Sequence, residues 1–346
     1  PSCILNKRIR IYQTTFCCGE DKTFSLRALD KVIAHIYFDI RRSEINFKVL
    51  LKSCNIINHH SLSSNNLISF SGTNTNYTGR IMGTHVSGMN TNGWAFVVSA
   101  SRRWAKEGYF EGTDYDANSL FASVEKKIND KHSLNFTSIF AENSRGKSSP
   151  NTDEVNNLKG TEYNSYWGWQ DGRKRNSRDK DILEPINILS HYWKINDKTT
   201  LNTNVAYQLG HVGNSRLDYQ SANNPDPTYY QNLPSYYYNN PDFNTPDPNT
   251  GVLPTDETLA NFLADGQINW NAMYVENTKS SNNGKAVYSL YEDRNDDRQF
   301  TANTVLFSNI ANNITLNASA SYRKLKSHNY QKMIDLLVAP YYLLNI

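Results

Sequence analysis

Apolar and polar positions alternate along the chain from about residue 71 onward. Between residues 201 and 209 one parity carries Leu, Thr, Val, Tyr and Leu, and the other carries Asn, Asn, Ala and Gln. Successive side chains of a strand point to opposite faces of a sheet, so this pattern predicts a strand with one apolar and one polar face. The predicted strands are 77–87, 94–104, 117–128, 133–141, 183–195, 200–210, 298–308 and 314–325.

A nine-residue phrase occurs three times at the ends of these segments. KINDKHSLN starts at residue 127, KINDKTTLN at residue 194 and the weaker NIANNITLN at residue 309. The unequal intervals, 67 and 115 residues, exclude a stacked repeat of fixed period. Asn and Asp favour turns because they accept left-handed backbone and bond locally to the chain. Each copy is therefore predicted to be a tight hairpin turn.

Short and long connections alternate between the predicted strands. Turns are expected near 88–93, 129–132, 196–199 and 309–313, and loops over 105–116, 142–182 and 211–297. Transmembrane β-barrels have short periplasmic turns, long extracellular loops and strands of about ten residues that alternate apolar-out and polar-in. The predicted fold class is all-β: an antiparallel transmembrane β-barrel portion of about eight strands, expected to be an open curved sheet.

The spacing of two tryptophans along the predicted strand 94–104 can be compared with the thickness of a membrane. Trp94 and Trp104 share parity and lie ten residues apart, which is about 33 Å along a strand. With a tilt of roughly 45° this projects to about 23 Å, close to the ~25 Å apolar band between aromatic girdles. Both are predicted to be membrane-girdle residues. The opposite parity predicts lumen-facing residues, namely Arg103, Asn202, Asn204, Gln208, Asn317 and Arg323.

Composition narrows the class of protein. The net charge is +3, the mean hydropathy is −0.65 and 22 residues are Tyr. A low hydropathy with many aromatics is unlike a disordered chain and fits strands with only one apolar face. No apolar stretch is long enough for a transmembrane helix, and the start, PSCILNKRIR, lacks the apolar core of a signal peptide. The composition changes near residue 70, so residues 1–70 are predicted to be a divergent N-terminal segment and 71–346 a partial outer-membrane barrel.

Motifs for catalysis or metal binding are weak. All four Cys lie in the first 54 residues without zinc or redox spacing. Asp293, Asn295 and Asp297 have calcium-loop spacing, but Arg298 stands where that loop requires Gly. No Ser/His/Asp set or carboxylate pair stands out, so we expect no catalytic residues, no metal, no cofactor and no enzyme activity. The basic run 172–180 is predicted to line the lumen or face lipopolysaccharide, and not to bind nucleic acid.

One long loop is rich in aromatic residues. The segment 223–251, NNPDPTYYQNLPSYYYNNPDFNTPDPNTG, combines Pro with several Tyr and a Phe. Amphipathic aromatics are suited to contact with sugars or peptides, and they also pack a loop against itself. The predicted ligand or partner contacts are Tyr229, Tyr230, Tyr236 and Tyr237.

Several segments resemble the β-barrel of TonB-dependent outer-membrane receptors, the SusC-like group especially. They include NGWAFVVSASRRWAKEGYFEGTDYDA (92–117), HYWKINDKTTLNTNVAYQLG (191–210) and NPDPTYYQNLPSYY (224–237). The resemblance covers about 75–340. It implies a twenty-two-stranded barrel around a plug domain that imports a glycan, peptide or chelate with energy delivered by TonB. It also implies the Gram-negative outer membrane as location, with the lipid bilayer, lipopolysaccharide and a surface lipoprotein as partners.

Two other functions stay open on sequence grounds. The first is a complete eight-stranded outer-membrane barrel with a structural or adhesive role. The second is a secreted carbohydrate-binding β-sandwich, whose strands also alternate. The barrel-portion hypothesis expects strands 77–87 and 314–325 to be edges of an open sheet, whereas a complete small barrel requires them to pair.

Overall fold

One antiparallel sheet of ten strands holds most of the chain that the computed structural model describes, which is residues 65–220, 222–311 and 313–343. Its strands are β1 (Asn65–Gly72), β2 (Gly79–Val86), β3 (Trp94–Ala105), β4 (Tyr115–Lys127), β5 (His132–Gly146), β8 (Asp179–Leu183), β9 (Ile186–Asn196), β10 (Thr199–Asp218), β11 (Ser289–Ala311) and β12 (Ile314–Asp335). The all-β antiparallel prediction is confirmed. The part of the predicted N-terminal segment before residue 65 lies outside the described residues.

The remaining elements lie in the two longest connections. The hairpin β6 (Trp167–Gln170) and β7 (Arg173–Asn176) forms a separate two-stranded sheet. The helices are α1 (Asp153–Lys159), α2 (Pro234–Asn239), α3 (Pro254–Ala264) and α4 (Trp270–Asn277), and short 3₁₀ turns cover Tyr230–Asn232, Pro241–Phe243 and Ser280–Asn282. We name residues 147–178 and 219–288 together the loop cap.

The large sheet is open within the described residues. Its strand order is β1-β2-β3-β4-β5, then β8 and β9, then β10-β11-β12. β8 and β9 each pair with β5 on one side and with β10 on the other. β12 is an edge, as expected. The expectation that the segment 77–87 is the other edge was wrong, because β1 pairs with all of β2 from Asn65–Val86 to Gly72–Gly79. The run NNLISFSG that forms β1 has Leu67 and Ile68 next to each other and lacks a clear alternation, which is why its pairing was missed.

The predicted strand 183–195 corresponds to β9, and a short strand that was not predicted, β8, precedes it. β8 and β9 follow each other between β5 and β10, and Glu184 and Pro185 separate them. Pro has no N–H to donate to a ladder, so it marks an interruption. On the partner strand Gly210 lies at this break with φ 155°, and a Cβ there would meet the Leu183 carbonyl oxygen at 2.0 Å. The close approach of two backbones therefore requires Gly at this position.

The repeated phrase forms the same turn twice. In the first copy the Asn129 side chain accepts hydrogen bonds from the backbone N–H of Lys131 and of His132, and in the second Asn196 accepts one from Lys198. An ion pair is repeated as well, Lys127 with Asp130 and Lys194 with Asp197. The prediction of tight Asn-based turns is confirmed for these two copies.

Turns and long connections lie at opposite ends of the sheet. The ladders Lys127–Ser133, Asn196–Thr199 and Ala311–Ile314 close at one end. The strands extend further at the other end than the sequence predicts, since β10 runs to Asp218, β11 begins at Ser289 and β12 ends at Asp335. These extensions are polar on both parities, as in EDRNDDR, so no apolar alternation reveals them.

The two faces of the sheet differ in exposure. Along β10 the side chains of Asn204, Ala206 and Gln208 are buried, whereas Val205 and Leu209 are exposed. Side chains on the inside of a curved sheet crowd together and those on the outside spread apart. We therefore name the face of Asn204 the concave face and that of Val205 the convex face. The concave face of β10 carries the polar side chains Asn204 and Gln208. On the other strands this face mixes polar residues such as Ser99 and Thr137 with apolar ones such as Ile188.

The loop cap has its own apolar contacts. One cluster contains Ile268, Trp270, Met273, Tyr288 and Leu337, and thereby joins α4 to the end of β12. A second contains Val155, Tyr163, Leu233 and Phe262, which join α1, α2 and α3. The two long connections are therefore folded against each other at the loop end of the sheet.

Asparagine side chains connect the backbone segments of the loop cap. Asn277 is buried and donates to the carbonyl oxygens of Tyr288, Leu336 and Leu337, while its own oxygen accepts the N–H groups of Val287 and Tyr288. Irregular backbone leaves polar groups that need partners when buried. Side-chain amides satisfy them here, which gives the many Asn residues of this sequence a structural role.

Candidate functional site

A continuous apolar band crosses the convex face. One row of paired residues runs Phe96, Val124, Phe136, Leu189 and Val205 across five neighbouring strands, and all five are exposed. Water disfavours apolar surface of this extent, because monomeric soluble proteins rarely expose large contiguous apolar patches. The convex face has the chemistry of a surface that contacts lipid.

The two predicted girdle tryptophans lie at opposite ends of this band. Trp94 and Trp104 begin and nearly end β3, and they expose 46% and 42% of their surface. The Lys126 ammonium lies 4.9 Å from the Trp94 ring centre, and Arg102 forms a 2.6 Å ion pair with Asp116 next to Trp104. Charged groups beside exposed Trp are typical of a membrane–water interface, where amphipathic rings and long cationic side chains collect.

A third girdle tryptophan, Trp193, was not predicted, and it lies at the turn end of the sheet. Trp193 stacks on His132, with ring centres 5.5 Å apart, and His132 lies 3.0 Å from His191 between ring nitrogens. The pairing of His132 with Trp193 brings these rings together across β5 and β9. Trp193 shares parity with Leu189, so the alternation alone could have placed it on the convex face. With Trp94 it forms an aromatic border at the turn end.

The concave face carries a polar row directly behind the apolar band. Glu125, Asn135, Ser190, Asn204 and Asn303 are neighbours across five strands. The Asn204 amide donates to Asn303 at 2.9 Å. Glu125 Oε2, Ser190 Oγ and Asn204 Oδ1 have no hydrogen-bond partner among the described residues. Buried polar groups of this kind need water or another polar partner, so the face fits a wet lumen better than a dry core.

The predicted lumen residues are spread over this face. Asn204 and Gln208 are buried, Asn202 is half-buried, and Asn317 and Arg323 are exposed because β12 is an edge. Arg323 donates to Gln299 at 2.9 Å. Arg103 lies directly opposite Arg80 in the ladder and 5.9 Å from the Tyr77 ring centre.

The four predicted ligand-contact tyrosines lie together in the loop cap. Tyr229, Tyr230, Tyr236 and Tyr237 follow one another in edge-to-face contacts with ring centres 4.6, 5.4 and 5.1 Å apart, and Phe243 stacks on Tyr236 at 6.1 Å. Tyr230 is the most exposed of the four. The hydrogen bond to Tyr230, followed by burial, raises the pKa of Tyr229. The rings pack on one another and still present an aromatic surface, and both roles considered for the loop remain compatible with it.

Within the described ranges there is no cluster of three or more His, Cys, Asp or Glu that could hold a metal ion. Asp293, Asn295 and Asp297 lie in the first half of β11, where a regular ladder replaces the loop that a calcium site would need. Asp293 pairs instead with Arg216 at 2.9 Å. None of the helices in the described part is long and apolar enough to cross a membrane.

Comparisons with known proteins give weak structural likenesses. No protein-family model and no curated protein matches the sequence. The siderophore receptor PiuA from Acinetobacter baumannii is similar at a TM-score of 0.45 and 11% identity, over 78% of this chain and 31% of the receptor. A Pseudomonas aeruginosa FadL homologue is similar at a TM-score of 0.28 and 13% identity, over 74% of this chain and 52% of that protein. The chain thus spans about a third and a half of their lengths.

Proposed function

We propose that this chain forms part of the wall of an outer-membrane β-barrel that transports a nutrient. The observation that carries the proposal is the division of one sheet into an exposed apolar convex face and a buried concave face that carries a row of polar side chains. A soluble protein buries its apolar face, whereas a transmembrane barrel turns that face to lipid and its polar face to the lumen.

The more specific proposal is a TonB-dependent receptor of the SusC-like group in the outer membrane of a Gram-negative cell. It is supported by the resemblance of the segments 92–117, 191–210 and 224–237. In such a receptor the chain contacts the lipid bilayer and lipopolysaccharide on its convex face. The assembled protein works with a plug domain, TonB and a surface lipoprotein.

The aromatic cluster of the loop cap is proposed to contact the solute. Tyr229, Tyr230, Tyr236 and Tyr237 present ring faces and hydroxyl groups close together. Such rings stack on sugars or peptides while their hydroxyls bond to polar groups. The solute is accordingly a glycan, a peptide or a chelate. The protein is proposed to have no catalytic role.

The two alternative functions fit the sheet less well. A complete eight-stranded barrel requires its first and last strands to pair, and β12 pairs only with β11 within the described residues. A β-sandwich requires two sheets whose apolar inner faces pack together. Here the apolar face of the large sheet is exposed, and in the part of the chain that the structure describes the second sheet is only the β6–β7 hairpin.

Uptake in the bacterium of origin tests the proposal. The gene is deleted, and uptake of labelled glycans, peptides and metal chelates is compared with that of the parent and of a strain without TonB. If both mutants lose uptake of the same solute, the result supports the receptor hypothesis. Loss in the deletion strain alone supports a barrel transporter without TonB coupling, and unchanged uptake of every solute together with absence of the protein from the outer-membrane fraction contradicts both.

A further inference from the structure

Two histidine rings meet on the convex face at the turn end of the sheet. His132 is the first residue of β5 and lies directly opposite Trp193 of β9, and His191 lies two residues before Trp193 on the same face. Nδ1 of His132 is 3.0 Å from Nε2 of His191. The ring planes are 3° from parallel and the ring centres are 5.3 Å apart. Because the centres are so much further apart than these two nitrogens, the rings meet edge to edge, and one nitrogen of each ring faces the other.

The surroundings hold this pair in place without enclosing it. Trp193 stacks on His132 with ring centres 5.5 Å apart, and the His132 backbone N–H donates to the Asn129 side chain of the turn at 2.9 Å. Both histidines are half-buried, and the turn beside them is exposed. The Lys126 ammonium of the same face donates to the Asn92 carbonyl oxygen at 2.7 Å, which directs this charge toward β3 and away from the histidines. The pair is therefore open to water from the turn.

The spacing of the two nitrogens is that of neighbouring ligands on one transition-metal ion. A zinc–nitrogen bond to His is about 2.0–2.1 Å long, so two such bonds at a right or tetrahedral angle place their nitrogens about 2.9–3.4 Å apart. Imidazole suits Zn²⁺, Cu²⁺ and Ni²⁺. In the hydrogen-bonded pair one of the two facing nitrogens carries a proton. For both to bind a metal ion, that ring must carry its proton on its outer nitrogen and both rings must tilt toward the ion, and this change of tautomer releases no proton.

We propose that His132 and His191 form a binding site for a divalent transition-metal ion, Cu²⁺ in preference to Zn²⁺, at the border between lipid and water. Within the described residues they belong to no group of three or more metal-binding side chains, so water completes the coordination. Copper is favoured because the affinity of a given site for divalent metals is highest for Cu²⁺ and falls again at Zn²⁺. Trp193 fixes the His132 ring and lies beside the ion. The proposal needs neither transport nor TonB, so it holds or fails independently of the receptor hypothesis.

Titration of the full chain in detergent micelles with Cu²⁺ tests the site. Electron paramagnetic resonance counts the ions bound through nitrogen, and tryptophan fluorescence reports the ion beside Trp193. His132→Asn and His191→Asn are each expected to lose one bound Cu²⁺ of the wild type or to bind it about tenfold or more weakly, since even changes next to metal ligands cost 10–100-fold in affinity. His328→Asn removes an exposed histidine of β12 and serves as the matched control, with no loss expected. Sites elsewhere in the chain are common to all variants and cancel in the comparison.

Thermal unfolding separates metal binding from a hydrogen bond between the rings. A ligand that binds only the folded state raises the unfolding midpoint, so Cu²⁺ should raise the midpoint of the wild type and of His328→Asn more than that of His132→Asn or His191→Asn. Trp193→Phe should keep the bound ion and lose the fluorescence quenching that this ion causes. The two histidine variants are tested separately, so one that does not fold leaves the other to decide. Cu²⁺ binding equal to that of the wild type in a folded histidine variant, or an equal loss in His328→Asn, would overturn the proposal and leave the rings as a hydrogen-bonded pair.

Discussion

A charged side chain placed at three depths along β10 tests the contact of the convex face with lipid. The substitutions are Leu201→Arg, Val205→Arg and Leu209→Arg, which share one face of one strand. Val205 lies six residues above Thr199, where the strand leaves its turn, which is about 20 Å along the strand. At a tilt of roughly 45° that is about 14 Å of height, close to the middle of a ~25 Å apolar band.

The expected costs follow from these heights. Arg near the bilayer midplane destabilises a barrel by about 2–4 kcal/mol and near the interfaces by about 0–1 kcal/mol. Leu201 lies only about 5 Å above the turn and Leu209 about 24 Å above it, by the same rise and tilt. The free energy of unfolding should therefore fall most for Val205→Arg and little for the other two.

Urea unfolding of the full chain in lipid vesicles, followed by tryptophan fluorescence, measures this profile. A soluble protein gives a different result, because the side chains of Val205 and Leu209 are similarly exposed, at 37% and 42%, and exposed positions tolerate Arg about equally. Equal small costs at all three positions would refute the lipid-facing assignment. A cost that rises steadily toward Leu209 would contradict the depth and tilt used here.

Three further predictions concern the loop cap. Asn277→Ala leaves buried backbone groups unpaired, at a cost of about 1–3 kcal/mol each, and should speed proteolysis within 219–288, whereas the exposed control Asn239→Ala should not. Arg175→Lys loses the stacking on Trp270 and the planar contacts to Asp335 and Gln170, so amide exchange in β7 should rise; unchanged exchange would contradict this. Burial raises the pKa of Glu107, but the hydrogen bonds from Lys174 and Gly112 outweigh burial and hold this pKa below the ordinary 4.5. The stability that Glu107 contributes is therefore present above pH 4.5 and is lost as the pH falls through the lowered pKa. Glu107→Gln should reduce the acid sensitivity of the unfolding midpoint, and an unaltered pH profile would contradict the ion pair.

The strands that cross the apolar band could be predicted from the sequence. Where a strand has lipid on one side and polar surroundings on the other, every second residue is constrained, as in the run from Leu201 to Leu209. The turns could also be predicted from the sequence, because the side chains of Asn129 and Asn196 accept hydrogen bonds from the backbone of their own turns. Local chemistry determines both features, so a single sequence reveals them.

The rest depends on contacts between distant residues. The outer half of β11 is polar on both parities, and its pairing with β10 follows only from the register of the inner half. The helices of the loop cap are short and are held by side chains such as Asn277, whose partners lie up to 60 residues away. Arg145, Lys180 and Asn214 lie opposite one another only because β8 pairs with both β5 and β10. A basic run in the sequence does not show which of its residues share a face until the strand pairing is known.

The central claim is that the convex face of the sheet contacts lipid and the concave face contacts water. Spin labels at positions 203 to 208 of the full chain in lipid vesicles, with the four native Cys replaced by Ser, test it directly through collision with oxygen and with a water-soluble nickel complex. Because the side-chain period of a strand is two, the account predicts oxygen contact at Thr203, Val205 and Tyr207 and none of it at Asn204, Ala206 and Gln208. Nickel contact at Val205 and Tyr207 equal to that of a water-exposed label in the turn at Asp197 would contradict it.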